Sequence, residues 1–442
     1  MPPIRRSNRA PKPKVHWEPP TTNPYRQPPA FTIYNDPPAP PNTQPSITQS
    51  STIQPSTTHP GMQPPGEPYQ PYFLPKNRAG KPQNLPKDIK PIKLFQLFFT
   101  VKEIENIVKQ TNSRGAKLNH FWEPLTTAEA YHYLGCLIYI GIQPLRELHD
   151  YWQLNTPIAR CLSKHHFEQI RQAFTLRDPD LSPKQPKEPW WFRVEPLATT
   201  IRQACQHYWA PGAHLAIDES MVPYFGHTKH TIKAPHKPIK QGYKIWALGD
   251  FGYIYNWLWY SKAEGTEATQ PIGPLAETQS LVINLAKTLP NLGSTTALIT
   301  TRIPAEYTLY LDNLFTNVPL ANALAELGIG IMGITRVNAL GFPLDLVQLK
   351  KATKSPLNWG HLEAVITNNI GCYLWQDNNR ILVITTAYDL TETVIRSRKR
   401  PSRTSTSATI TKTIFGDSTV KDLAIPLAID AYNHYLGGGR YC

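Results

Sequence analysis

Cysteine is scarce and does not fall into pairs: Cys136, Cys161, Cys205, Cys372 and Cys442 are odd in number and form no C-x-x-C motif. This pattern argues against a disulfide framework or a zinc module and for a reducing compartment. Long apolar runs are also lacking. The longest, LGCLIYIGI from Leu134 to Ile142, is too short to span a bilayer. No secretory leader pattern opens the chain, so a soluble intracellular protein with no membrane partner is expected. Acidic residues are in deficit, with 32 Asp and Glu against 46 Lys and Arg, a formal net charge of +14 over 442 residues. That balance points to nucleic acid or another polyanion as partner, because basic protein releases the counterions condensed on a polyanion; no small-molecule substrate is expected.

The first 90 residues hold about half of the 45 prolines, with Ser, Thr and Gln between them. Such a segment buries too little apolar surface to offset backbone ordering, so a disordered tail is expected over 1–90. Its basic start, RRSNRAPKPK, suits DNA or a nuclear address. From 91 to 210 the pattern is helical. Thr100 with Glu103, and Thr126 with Glu129, have capping-box spacing, and Ser163 can cap KHHFEQIRQAF. The aromatics of this stretch, among them Trp122, Tyr133, Tyr151 and Trp152, read as core.

After Gly212 the period shortens. HLAID, GYKIWALGD and YIYNWLWY read as three strands, the last two joined by a Phe251-Gly252 turn. AETQSLVINLAKTLP reads as a helix, TLYLDN as a strand, VPLANALAELG as a helix closed by glycine and IGIMGITR as a strand. Strands followed by alternating helix and strand predict an α/β fold, a mixed sheet with flanking helices in ribonuclease H-like order. The core is expected over 211–338 and 425–442. A small β-rich insertion carrying a basic loop is expected over 339–424, from AVITNN, CYLWQDN and ILVITTAYD. IPLAIDAYNHYLGGG reads as a last helix.

Two aspartates stand where apolar runs stop, Asp218 in HLAIDES and Asp312 in YTLYLDNLF. In the expected order their strands are neighbours. Two carboxylates at such positions can share divalent cations, Mg²⁺ or Mn²⁺, the arrangement used for in-line displacement at phosphorus. The same residues could instead only cap turns. Lys229, Lys233, Lys237, Lys240 and Lys244, with His227, His230 and His236, surround the link between the first two strands. Arg336 follows the fifth strand, and Arg396, Arg398, Lys399, Arg400 and Arg403 form a second basic cluster. Each group suits phosphate contact, and each equally suits a solvated basic surface.

AIDESMVPYFG, KPIKQGYKIWALGDFGY, YLDNLFTNVPLANAL, GITRVNALGFP and YNHYLGG, taken in order, resemble the piggyBac family of DNA transposases and their domesticated derivatives. The resemblance implies a ribonuclease H-like core with a triad of metal-binding aspartates, excision at inverted repeats and insertion at TTAA. It further implies a nuclear location and a helical dimerisation and DNA-binding segment before Gly212. Asp218 falls on the first catalytic aspartate and Asp312 on the second. Tyr432, Asn433, Gly437 and Gly438 fit the motif that leads to the third, but Gly439, Arg440, Tyr441 and Cys442 stand where Val-Asp is implied. Asp430, Asp250 and Glu219 are candidate substitutes. The leading expectation is a transposase-derived DNA-binding protein without transposase activity. An active enzyme represented by an incomplete gene model and a non-functional relic stay open.

Overall fold

The computed structural model describes residues 73–154, 156–177, 189–228, 230–235, 237–261, 271–293, 303–352, 357–367, 370–402 and 408–439. The expected disordered tail lies outside these residues as far as position 72. Residues 73–90, assigned to that tail from their prolines, are ordered instead. Phe73 is fully buried, and its N–H donates to the Thr386 carbonyl at 3.0 Å. Phe73–Pro75 runs parallel to Ile303–Ala305, Lys76 and Arg78 both bind Glu306, and Lys81–Pro82 pairs with Trp209–Ala210. Edge strands tolerate proline, and one buried phenylalanine contributes roughly 2–3 kcal/mol, so composition misleads here.

The helical lobe comprises α1 (Pro91–Phe98), α2 (Val101–Leu118), α3 (Thr127–Ile142), α4 (Lys164–Ala173) and α5 (Glu195–His207), with short turns at Asp150–Gln153 and Pro157–Cys161. Thr100 and Ser163 cap α2 and α4 through their side chains, and Thr126 with Glu129 forms the full reciprocal capping box of α3. Ile104, Ile107, Tyr133, Tyr151, Phe167 and Ile170 make one buried cluster, with Trp122 and Trp152 packed on it. Trp152 Nε1 donates to the Leu162 carbonyl at 2.8 Å and Tyr151 Oη to that of Gln143 at 2.7 Å. These aromatics are therefore core, with the polar atoms of Tyr151 and Trp152 satisfied internally.

The sheet comes next along the chain. β1 (His214–Pro223), β2 (Gln241–Asp250) and β3 (Tyr253–Trp259) form a meander. The β2–β3 turn has Phe251 at φ 47° and Gly252 at φ 92°, the left-handed pair that a two-residue hairpin requires. Then come α6 (Glu277–Ala286), β4 (Tyr307–Leu311), α7 (Val318–Glu326) and β5 (Ile329–Thr335). The order is β3–β2–β1–β4–β5, with β4 parallel to both β1 and β5 and β2 antiparallel to β1. This is the ribonuclease H-like order.

Beyond it lie α8 (Leu344–Lys351), β6 (Leu362–Thr367), β7 (Ile370–Gln376), β8 (Arg380–Thr385), β9 (Thr393–Lys399), α9 (Ala408–Phe415), β10 (Val420–Pro426) and α10 (Leu427–Gly439). The three strands expected after Ala339 extend the same sheet: β8 pairs antiparallel with β5, from Met332↔Thr385 to Thr335↔Leu382, and β7 and β6 follow outward. Of the stretch expected as a basic loop, Arg396–Lys399 is strand instead, part of β9. β9 pairs residue for residue with β10 in a separate ribbon.

Each sheet face has its own core. Leu215, Ile217, Leu309 and Leu311 point toward α6 and α7, while Ala216 and Tyr310 point to the face covered by Ala428, Ile429, Tyr432 and Leu436 of α10. The alternation along β1 and β4 follows from the two-residue period of a strand. On the α10 side, His214 Nδ1 lies 2.9 Å from Tyr310 Oη, and Tyr310 Oη in turn bonds Tyr388 Oη. The His214 ring stacks on Tyr435 at 3.9 Å.

Burial first, and His434 second, push the His214 pKa down to about 4. The unfolded chain then binds a proton near pH 6.5 that the native state refuses. Stability is complete above pH 6.5 and is lost as pH falls toward 4. The urea midpoint of wild type is expected to drop across this window, and in His214→Gln that component of the drop disappears. Superimposable pH profiles for the two proteins would contradict the assignment.

Candidate carboxylate site and its basic surroundings

The β1–β4 register determines the site. Its last pair is Ile217↔Leu311, so Asp218 and Asp312 come next, side by side on parallel strands about 4.8 Å apart. By the same alternation both follow Ala216 and Tyr310 onto the α10 face. Asp312 directly follows β4, as expected. Asp218 does not end its strand: β1 continues to Pro223, because β2 keeps pairing with it as far as Pro223↔Gly242. What ends at Ile217 is the pairing with β4, and this opens the sheet beside the two carboxylates.

Asp218 Oδ1 accepts the Glu219 N–H at 2.7 Å and Asp312 Oδ1 the Leu314 N–H at 2.8 Å. Both carboxyls are nonetheless held above their ordinary range. Burial is the main cause for each; Asp218 also feels Asp312, and Asp312 feels Glu219. Two hard oxygen donors whose negative charge is partly desolvated form a site that a small divalent cation would relieve. Mg²⁺ needs one or two protein carboxylates besides water and phosphate oxygens. Asp218 and Asp312 meet that minimum, although among the described residues no three His, Cys, Asp or Glu side chains converge.

The three substitute acids are engaged elsewhere. Glu219 is opposite Trp246 in the β1–β2 register and so faces the α6–α7 side. There it binds Lys237 and, at 3.3 Å, Lys244, which keeps its carboxyl below the usual range despite burial. Asp250 lies at the far end of β2, where Oδ2 accepts from Trp209 Nε1 and Gly212 N, both at 2.7 Å. A Cβ at Gly80 would come within 1.9 Å of that oxygen, so the chain before α1 needs glycine there. Asp430 makes a two-pronged pair with Arg396, both contacts at 2.7 Å.

The expected DNA-contacting residues separate by partner. Lys233 and Lys240 are exposed. Lys237 is partly exposed and sits close enough to Asp218 and Asp312 to lower both carboxyls. Lys244 is turned inward, its side chain 12% exposed, with Nζ 3.7 Å from the centre of the Trp246 ring and 4.5 Å from that of Tyr260. It balances Glu219 and supports the sheet rather than presenting a charge to solvent. Arg336 is exposed, and its Nε donates to Asn313 Oδ1 at 2.9 Å, next to Asp312. In the β9 ribbon Arg396 is tied to Asp430, Arg398 to Asp377, and Arg400 donates to the Gly416 carbonyl at 2.6 Å, while Lys399 is exposed. Lys229, His236, Arg403 and Arg440 lie outside the described residues. Sequence reasoning missed the Glu219 bridge. Its signal was present: next to Asp218 but on the opposite strand face, the one that the two-residue period gives to Trp246, Glu219 is the last acid before five lysines.

A ribonuclease H-like sheet with one aspartate in its first strand and another directly after its fourth is the arrangement that the family resemblance implied. A family model described as Transposase IS4 matches residues 90–441, and the chain belongs to this family, as a piggyBac-type member. It is 24% identical over 365 residues to the human piggyBac transposable element-derived protein 3, covering 79% of this chain and 54% of that protein. With the human piggyBac transposable element-derived protein 2 it shares 26% over 320 residues, covering 71% and 51%. The chain thus spans about half the length of these curated relatives. In fold it is similar to the piggyBac transposase of a synaptic complex with hairpin DNA, solved by cryo-electron microscopy, with a TM-score of 0.63, 20% identity and coverage of 82% of this chain and 69% of that one.

Because burial raises the folded pKa of both carboxyls, ionising them costs stability as pH rises through those values. Without divalent cation, Asp218→Asn and Asp312→Asn should each raise Tm at pH 7.5, by about 2–4 °C for each kcal/mol relieved. The gain should vanish near pH 3, where the wild-type acids are protonated. Mn²⁺ should raise the Tm of wild type and of neither variant. A Mn²⁺ shift of equal size in all three would place the cation elsewhere.

Proposed function

We propose that this chain is a nuclear, transposase-derived protein that binds double-stranded DNA, and that as these 442 residues it does not cut DNA. The observation that carries the reading is the side-by-side register of Asp218 and Asp312, with exposed Arg336 beside them and exposed Lys233 and Lys240 farther out at the other end of β2. The cations hold phosphates along the backbone. Asp218 and Asp312 would hold one Mg²⁺ or Mn²⁺, which would supply positive charge for phosphate binding. Lys237, tied to Glu219, keeps compensating charge next to the carboxylates. In-line displacement with two metals needs ligands on both sides of the reacting phosphate. Asp218 and Asp312 supply one side, and Glu219, Asp250 and Asp430 are committed to Lys237 and Lys244, to the Gly212 turn and to Arg396. The TTAA target and homodimerisation through the helical lobe belong to the same reading by family resemblance.

Binding to duplex DNA, followed by fluorescence anisotropy, should weaken about 40-fold between roughly 50 and 200 mM salt if Lys233, Lys240 and Arg336 each neutralise one phosphate. Replacing both lysines by alanine should lower the salt slope by about 2. Salt-independent binding would refute the electrostatic reading. With Mg²⁺ or Mn²⁺ the polypeptide should release no transposon end from a supercoiled donor plasmid. Excision that Asp218→Ala and Asp312→Ala abolish would show instead that the acid pair suffices for catalysis.

A further inference from the structure

We propose that Phe225 and Tyr224, which leave β1 at the tip of its pairing with β2, bind an unpaired nucleobase, so that the chain prefers DNA with a single-stranded end or gap over continuous duplex. This rests on the reading that the chain binds DNA, and adds to it a second subsite with a different chemistry. Phe225 is 84% exposed and Tyr224 40%. A single exposed ring is ordinary; the surroundings of this pair are not. Trp190 stacks on Tyr243 at 4.1 Å and 18°, and Tyr243 meets Tyr224 at 5.0 Å and 42°. The rings form a ladder from half-buried Trp190 out to exposed Tyr224, and Phe225 is the next residue of the chain.

The ladder is held in place from both sides. A Cβ at position 226 would lie 2.4 Å from Tyr224 Oη and 2.5 Å from two ring carbons, so Gly226 lets the ring lie across the turn. The Tyr224 N–H donates to the Gln241 carbonyl at 3.2 Å, and Thr228 hydrogen-bonds Tyr243. A fixed aromatic platform loses little entropy when it receives a ligand ring.

Charge selects the ligand. Gln241 pairs on its other side with Lys233, and Lys240 precedes it, so two exposed cations flank the aromatic tip within one or two strand spacings. Aromatic faces combined with cations that track a phosphate backbone are the chemistry of single-stranded nucleic acid binding. A base within a duplex has both faces covered by its neighbours, so only an unpaired base can stack here. Six or seven strand residues separate the tip from Asp218, on the order of 20 Å. The stacked base therefore lies roughly six nucleotides from the acid pair, and the tip positions a DNA end rather than touching the phosphate at the acid pair.

The test compares the full 442-residue chain on a blunt duplex and on the same duplex with a four-nucleotide overhang carrying 2-aminopurine at each position in turn. Wild type should bind the overhang at least about fivefold more tightly and quench one 2-aminopurine, since base–aromatic stacking is worth roughly 5- to 100-fold in affinity. Phe225→Ala should abolish both effects and leave blunt-duplex affinity and salt slope unchanged. Phe225→Leu, which keeps apolar volume without an aromatic face, should behave as Phe225→Ala, and Phe225→Trp should retain the preference. Lys233→Ala with Lys240→Ala should weaken both DNAs together. The proposal falls if wild type binds the two DNAs equally, or if Phe225→Leu keeps the quenching. Binding to neither DNA would overturn the DNA-binding reading and this one together, whereas equal, salt-sensitive binding would overturn this one alone.

Discussion

The parallel pairing of β1 with β4 is the constraint on which the rest depends. The segments that pair, Leu215–Ile217 of β1 and Thr308–Leu311 of β4, are buried on both faces, and a parallel neighbour offers each the hydrogen bonds and cover it needs. Register then fixes the position of the first residue past each apolar run. A slip of one position would turn Leu309 and Leu311 out of the α6–α7 core and Tyr310 away from His214. The hydrophobic pattern that stabilises the sheet is thus the same pattern that brings two negative charges together. The carboxylates are tolerated because they come at the point where that pattern ends.

Most of the fold was legible in the sequence because its elements carry local signals. Thr100, Thr126 and Ser163 name the helix starts, Phe251-Gly252 names a hairpin, and the alternation from three strands to helix–strand units names the sheet order. Where legibility failed, the deciding contacts were distant ones. Nothing near Phe73 predicts that it will be buried beside Ile303 and Thr386. The strand in TVIRSRK is hidden by its arginines, whose charges are matched by Asp377 and Asp430 from other parts of the chain. At the site, Asp218 and Asp312 were legible from where apolar runs stop. The separate fates of Glu219, Lys237 and Lys244 depend on face and register, which single residues do not announce.

The basic residues illustrate why a net charge is not a surface. Lys244 is enclosed by Trp246 and Tyr260, and Arg396 and Arg398 spend their charge on carboxylates that hold the β9–β10 ribbon against α10 and β7. Lys233, Lys240, Lys399 and Arg336 face solvent. Electrostatic attraction for a polyanion resides in the second group, and stability in the first.

The short ribbon formed by Lys81–Pro82 and Trp209–Ala210 has a topological result. It joins the chain just before α1 to the chain just after α5, so the whole helical lobe is an excursion that leaves the sheet and returns to the same place. Asp250, reaching across Gly80 to Gly212, secures that junction from the sheet side. The lobe also leans on the sheet through α5, where Tyr253 Oη donates to the Cys205 carbonyl at 3.0 Å and Trp259 Nε1 to Glu195. Torque on the lobe therefore reaches the strands by two routes, the backbone ribbon at its root and the α5–β3 contact beside it.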